Sequence, residues 1–117
     1  MIPIALVTDL DDLAEEWRPY GDYYFMRDCV GGGDEAKAAS PAEHADRIKA
    51  PVLLAHGTLD RNVLVHESEH MARNLKAADT PNELVIFEYL DHQLDDSAAR
   101  AKMLAKSDAF LRQAFGP

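Results

Sequence analysis

Two sets of residues in this 117-residue chain have the types and spacing that chemistry needs. The first is "HESEH" at 66–70. Two histidines four apart on a helix can grip a zinc ion, and the glutamate between them can act as general base on zinc-bound water. The second set is split, with Asp60 in "HGTLDRNV" and His92 in "EYLDHQLDD". A carboxylate touching an imidazole orients the ring and stabilises its charged form while the ring takes a proton from an attacking group. The elements that carry these residues decide between the two.

Three short apolar runs stand out: "IPIALVT" (2–8), "PVLLAHG" (51–57) and "ELVIFEY" (83–89). Each is near-continuously hydrophobic, as strands buried on both faces of a parallel sheet are. Helical segments lie between them. "SPAE" at 40–43 reads as a helix start, with Ser40 as N-cap, Pro41 at the first position and Glu43 closing a capping box. Longer helices are expected from about Leu64 to Ala78 and from about Asp95 to Phe115. The second carries Met103, Leu104, Phe110, Leu111, Ala114 and Phe115 as a broad stripe for burial. Residues 17 to 39 show no clear period and read as a long, aromatic-rich connection. The pattern predicts an α/β layer fold of three parallel strands with flanking helices and right-handed crossovers, within one domain over 1–117.

A helical wheel tests the zinc reading. At about 100° per residue, Leu64, Ser68, Met71, Leu75 and Ala78 share the face that must meet the sheet. His66 and His70 lie roughly opposite, beside Arg73. A catalytic zinc needs a sheltered site, a third protein ligand and supporting hydrogen bonds, which a solvent face does not supply. The motif is therefore read as a coincidence of surface residues, suited at most to adventitious binding of a divalent ion.

Composition narrows the function further. A formal charge of −9 argues against nucleic acid and anionic membrane as partners, since either needs a basic face. A single cysteine, Cys29, excludes an internal disulfide and any cysteine-based zinc site. "GGG" at 31–33 is not followed by the Lys-Ser/Thr of a phosphate loop. Asp9, Asp11 and Asp12 lack the glycine and distal glutamate of a calcium loop and read as an acidic helix N-terminus. No cofactor and no metal are expected. The first residues show no signal peptide, so a cytoplasmic location is the default expectation, though any targeting segment could lie upstream.

Asp60 and His92 fare better. In open α/β sheets, ligands and catalytic groups gather beyond the carboxyl ends of the strands. These two residues follow what should be neighbouring parallel strands, about 5 Å apart. Taken singly, each could be an ordinary turn aspartate or surface histidine; their joint placement favours an acid–base pair. The stretches "SPAEHADRIKAPVLLAHGTLDRNVLVHESEHMARNL" and "NELVIFEYLDHQL" resemble the C-terminal part of the catalytic domain of the prolyl oligopeptidase family, serine peptidases on the α/β-hydrolase fold. The likeness covers essentially the whole chain and is most specific at 51–63 and 84–94. "IALVTDLDDL" is similar to the strand and loop that follow the family's nucleophile. The resemblance implies that Asp60 is the triad acid and His92 the triad base, in the chain order of that fold. Leu64 departs from it, standing where the family often has proline.

A larger departure concerns the nucleophile. No Gly-x-Ser-x-Gly occurs, and the four serines, Ser40, Ser68, Ser97 and Ser107, sit in a cap or on helices. The resemblance thus implies the C-terminal piece of a hydrolase domain, a partial fold lacking the N-terminal half of its sheet and expected to be inactive alone. Its parent would act on peptides. The alternative is a non-catalytic module that self-associates into a dimer or higher oligomer through the apolar run 2–8. His56 is expected to satisfy backbone groups at a strand end. Trp17, Tyr20, Tyr23, Tyr24 and Phe25 could overhang a substrate pocket or simply pack a long loop.

Overall fold

The structure, a computed structural model, describes residues 1–116. The apolar run at 52–57 forms β1 (Val52–Gly57), every residue of it buried. It pairs in parallel with β2 (Asn82–Phe87), in register from Val52 opposite Asn82 to Gly57 opposite Phe87. Alternate side chains of β1 build two cores, as the pleat requires. Leu53 and Ala55 join Val85, Phe87, Leu94, Ala99 and Met103 on one face. Val52 and Leu54 join Ala42, Ala45, Met71 and Leu75 on the other. β2 does not match its expected burial on both faces, because Glu83 is exposed and only Val85 and Phe87 are fully buried.

Two strands, rather than the expected three, make the regular sheet. Residues 1–5 do lie alongside β1. Leu53 N donates to Met1 O, Ala55 N to Pro3 O and Ala5 N to Ala55 O, but only Ile4 and Ala55 form a bridge. The reason is local. Pro3 has no N–H to give to β1, and Ala5 takes φ 49°, outside extended backbone.

The helices are α1 (Leu10–Glu16), α2 (Tyr23–Val30), α3 (Asp34–Ala39), α4 (His66–Ala77) and α5 (Ser97–Phe115). The acidic start of α1 is as expected, with the Asp9 carboxylate accepting from the N–H groups of Asp11 and Asp12. The expected irregular connection at 17–39 instead folds into a 3₁₀ turn (Arg18–Tyr20), α2 and α3. None of the α2 residues is fully buried. The expected capping box at 40–43 does not form. Ser40 is buried, accepts from Leu10 N–H and donates to Ala36 O, and Pro41–Arg47 is a kinked 3₁₀ segment.

In α5, Ala99 and Met103 are buried and Phe110 packs on the core. Leu104, Leu111 and Phe115, assigned to the same stripe, are exposed. The helix meets the small sheet mainly over its first half, and its second apolar row has no described element to cover it. No helix among the described residues is long and apolar enough to cross a membrane.

Candidate active site

β1 ends in Gly57, and the absence of a side chain there shapes the loops around it. A Cβ on Gly57 would lie 2.3 Å from Leu90 O and 2.8 Å from Asp91 O. Only glycine lets the loop after β2 cross so closely over the end of β1. Three hydrogen bonds then join the two loops. Thr58 N donates to Phe87 O, Leu59 N to Leu90 O, and Tyr89 N to Thr58 Oγ1. Tyr89 takes φ 61° to make that crossing. The strand ends thus hold two loops in fixed relation, one carrying Asp60 and the other His92.

The structure brings this pair together, with His92 Nδ1 2.8 Å from Asp60 Oδ2. The Asp60 side chain is fully buried, whereas that of His92 is one-third exposed (33%). Asp60 Oδ1 accepts from the N–H groups of Asn62 and Val63, so both carboxylate oxygens are engaged. Burial alone would raise the Asp60 pKa, but hydrogen bonds from Val63, His92 and Asn62 outweigh it and hold the carboxyl below its ordinary value. An ionised carboxylate only accepts, so His92 donates from Nδ1 and a neutral ring keeps its lone pair on Nε2. That is the tautomer of a general base. Beside His92 an open cleft of about 420 Å³ is lined by Leu59, Arg61, Asn62, Asp91 and Gln93. A second cleft, of about 470 Å³ at the far end of the strands, is lined by Pro51, Pro81 and Phe110 and holds no acid–base pair.

His56 meets backbone, as expected, through Nε2 and the Val63 carbonyl at 2.8 Å. It also does more. A carbonyl only accepts, so Nε2 carries the proton, and it lies 3.1 Å from Asp60 Oδ2. In the neutral ring Nδ1 then accepts from the Ser68 hydroxyl at 2.7 Å. Ser68, His56, Asp60 and His92 form one connected row. The His56–Asp60 contact has a sequence signal: the two are four apart across a turn with one partner at a strand end.

The "HESEH" helix needs one correction. Glu67 is not a surface residue but completely buried. Its Oε2 accepts from Thr8 N, Thr8 Oγ1 and Asp9 N, tying α4 to the start of α1. The wheel held the signal, since Glu67 falls about 20° from Ala78 at the border of the sheet-facing row. His66 and His70 are half-buried and diverge. His66 Nε2 faces Glu16 at 3.1 Å and Asp12 at 3.7 Å, while His70 Nε2 accepts from Asn74. Among the described residues no potential metal-binding group contains both histidines.

Of the remaining expected features, the aromatic residues of 17–25 pack mostly on one another. Trp17 sits against Tyr20, Tyr23 against Tyr24, and the Arg18 guanidinium lies 3.9 Å over the Tyr23 ring. Tyr20, Tyr24 and Phe25 remain exposed. Ser107 donates to Met103 O within its own helix.

Comparison with solved structures places the fold. The chain is similar to a puromycin-hydrolysing peptidase of Mycobacterium tuberculosis, with 27% identity and a TM-score of 0.87 over 98% of this chain and 18% of that one. An esterase of Thermogutta terrifontis is 31% identical, with a TM-score of 0.73 over 98% of this chain and 42% of that one. An acylaminoacyl peptidase of Pyrococcus horikoshii is 19% identical, with a TM-score of 0.77 over 97% of this chain and 19% of that one, a likeness of fold. This chain therefore spans under a fifth of the length of the two peptidases. A search of curated proteins gives no match. The fold is part of an α/β-hydrolase, and the model of the prolyl oligopeptidase family matches residues 3–117. From its third residue to its last, the chain belongs to the prolyl oligopeptidase family.

Proposed function

We propose that this chain is the acid–base portion of a serine-type peptidase, with Asp60 as the acid and His92 as the general base of a triad. The observation that carries the reading is the 2.8 Å contact between His92 Nδ1 and a fully buried Asp60 carboxylate. In that role His92 Nε2 takes the proton of an attacking hydroxyl, and Asp60 stabilises the imidazolium without itself being protonated. None of the four serines suits the attacking role. Ser40, Ser68 and Ser107 are committed to other hydrogen bonds, and Ser97 opens α5. The whole enzyme would act on peptides, with the serine and the oxyanion donors on a part of the hydrolase fold outside these residues. The isolated chain is expected to hydrolyse neither peptide nor ester substrates, since nucleophile and oxyanion hole together supply most of the rate enhancement. A panel of chromogenic peptide and ester substrates checks this. Turnover abolished by a serine-directed phosphonate would contradict it.

A second reading, a self-associating module, draws on the outer edge of residues 1–5. Met1, Pro3 and Ala5 turn their backbone groups to β1, so those of Ile2 and Ile4 face away. The Ile4 side chain is also half exposed.

A further inference from the structure

The end of α1 and the start of α4, which begins with "HESEH", create a site that the sequence motif does not describe. Glu16 from the end of α1 and His66 and Glu67 from the start of α4 each offer a ligand atom, all within 4.8 Å of one another. Two observations separate this cluster from ordinary surface acids. Glu67 is fully buried, and its Oε1 has no hydrogen-bond partner, although Oε2 has three donors. Glu16 Oε1 is likewise buried without a hydrogen bond. It lies 3.1 Å from His66 Nε2 but not in hydrogen-bond geometry. Buried carboxylate oxygens require a donor, a proton or a cation.

We propose that Glu16, His66 and Glu67 form a structural site for a divalent transition metal, zinc being the best fit. One imidazole and two carboxylates are zinc ligands by type. Ligand atoms about 2.0–2.2 Å from a tetrahedral ion stand roughly 3.3–3.6 Å apart, close to the 3.1 Å between His66 Nε2 and Glu16 Oε1. The hydrogen bonds from Thr8 and Asp9 to Glu67 Oε2 would hold that carboxylate in place and leave Oε1 for the ion, the supporting role such bonds play around metals. His66 is half exposed, which gives the ion an entry path and leaves room for a water as fourth ligand. The site differs from the zinc-protease pattern in its ligands. It takes Glu67, the first glutamate of the motif, as a ligand and leaves out His70, which accepts from Asn74. Its effect would be to clamp the end of α1 to the start of α4.

The test is calorimetric titration of zinc chloride into the 117-residue chain, alongside His66→Ala, Glu67→Gln and His70→Ala. His66→Ala leaves the buried hydrogen bonds of Glu67 intact; should Glu67→Gln fail to fold, Glu16→Gln replaces it. The expected result is one zinc per chain, bound at least tenfold more weakly by the His66 and Glu67 or Glu16 variants and within twofold by His70→Ala. Zinc should also raise the melting midpoint of the wild type and not that of His66→Ala. Absence of saturable binding would overturn the proposal. So would equal affinity in all variants, or a loss in His70→Ala as large as in His66→Ala, which would mark a surface histidine pair.

Discussion

At the scale of single residues, the Asp60 carboxylate is where burial and hydrogen bonding oppose each other most directly. Burial favours the neutral acid; donors from Val63, His92 and Asn62 favour the anion and prevail. A folded-state pKa below the unfolded one means that the folded chain binds this proton less tightly. Asp60 therefore adds stability that is fully present above the ordinary carboxyl value of 3.8 and is lost as pH falls through the lowered folded value. Replacing His92 by alanine removes one of the donors that oppose burial. The Asp60 pKa is expected to rise in His92→Ala, and acid unfolding to begin at higher pH. A carbon-13 titration of the Asp60 carboxyl in both proteins reads the shift, and an unchanged midpoint would contradict a contribution from His92. Asp60→Asn should act differently. It removes the carboxylate from both His92 and His56, and Asn62 and Val63 lose a charged acceptor for a neutral one, weakening bonds of the stronger, charge-assisted kind. A loss of about 1–3 kcal/mol in urea unfolding is expected.

At the scale of elements, the pair depends on the crossing of two loops at Gly57. An alanine there places a Cβ against the backbone oxygens of Leu90 and Asp91, which cannot swing away as a side chain tip can. Gly57→Ala is expected to cost about 1–3 kcal/mol, the range for overpacking, and to lengthen the Asp60–His92 contact. Chemical denaturation measures the first, and loss of the upward Asp60 shift on His92→Ala reports the second. A variant as stable as the wild type, with that shift intact, would show the crossing to be slack. This element was legible beforehand because strand direction and chain order alone send both loops to the same rim. What sequence could not supply was anything set by contact between distant segments. Glu67 is charged, so polarity placed it outside, yet Thr8 and Asp9 arrive with the donors that make its burial tolerable. Leu104, Leu111 and Phe115 are apolar, so periodicity placed them inside, but a two-stranded sheet is too narrow to cover a second row. In the run 2–8, hydrophobicity promised a strand, while Pro3 and the φ of Ala5 limited it to one bridge.

At the scale of the whole molecule, exposed apolar surface and net charge pull in opposite directions. The outward backbone groups of Ile2 and Ile4, with half-exposed Met1 and Ile4 beside them, form the kind of edge that adds another strand. A net charge of −9 on 13.0 kDa, with a pI near 4.8, repels a second copy. Edge pairing acts at contact distance, whereas the repulsion between exposed charges reaches over a Debye length. That length shrinks from about 30 Å at 0.01 M salt to about 8 Å at 0.15 M. If residues 1–5 pair two chains, association should therefore strengthen with added salt, from mostly monomer at about 0.01 M to dimer near 0.15 M. Light scattering on micromolar protein at the two salt concentrations reads the mass directly. Ile4→Lys puts a charge on the edge while leaving the three backbone bonds to β1 in place, and it should keep the chain monomeric at both. A wild type that stays monomeric at the higher salt would remove the self-association reading and leave Ile4 as ordinary exposed surface. A dimer that survives Ile4→Lys would move the interface elsewhere, and the uncovered row of Leu104, Leu111 and Phe115 on α5 is the next surface to substitute.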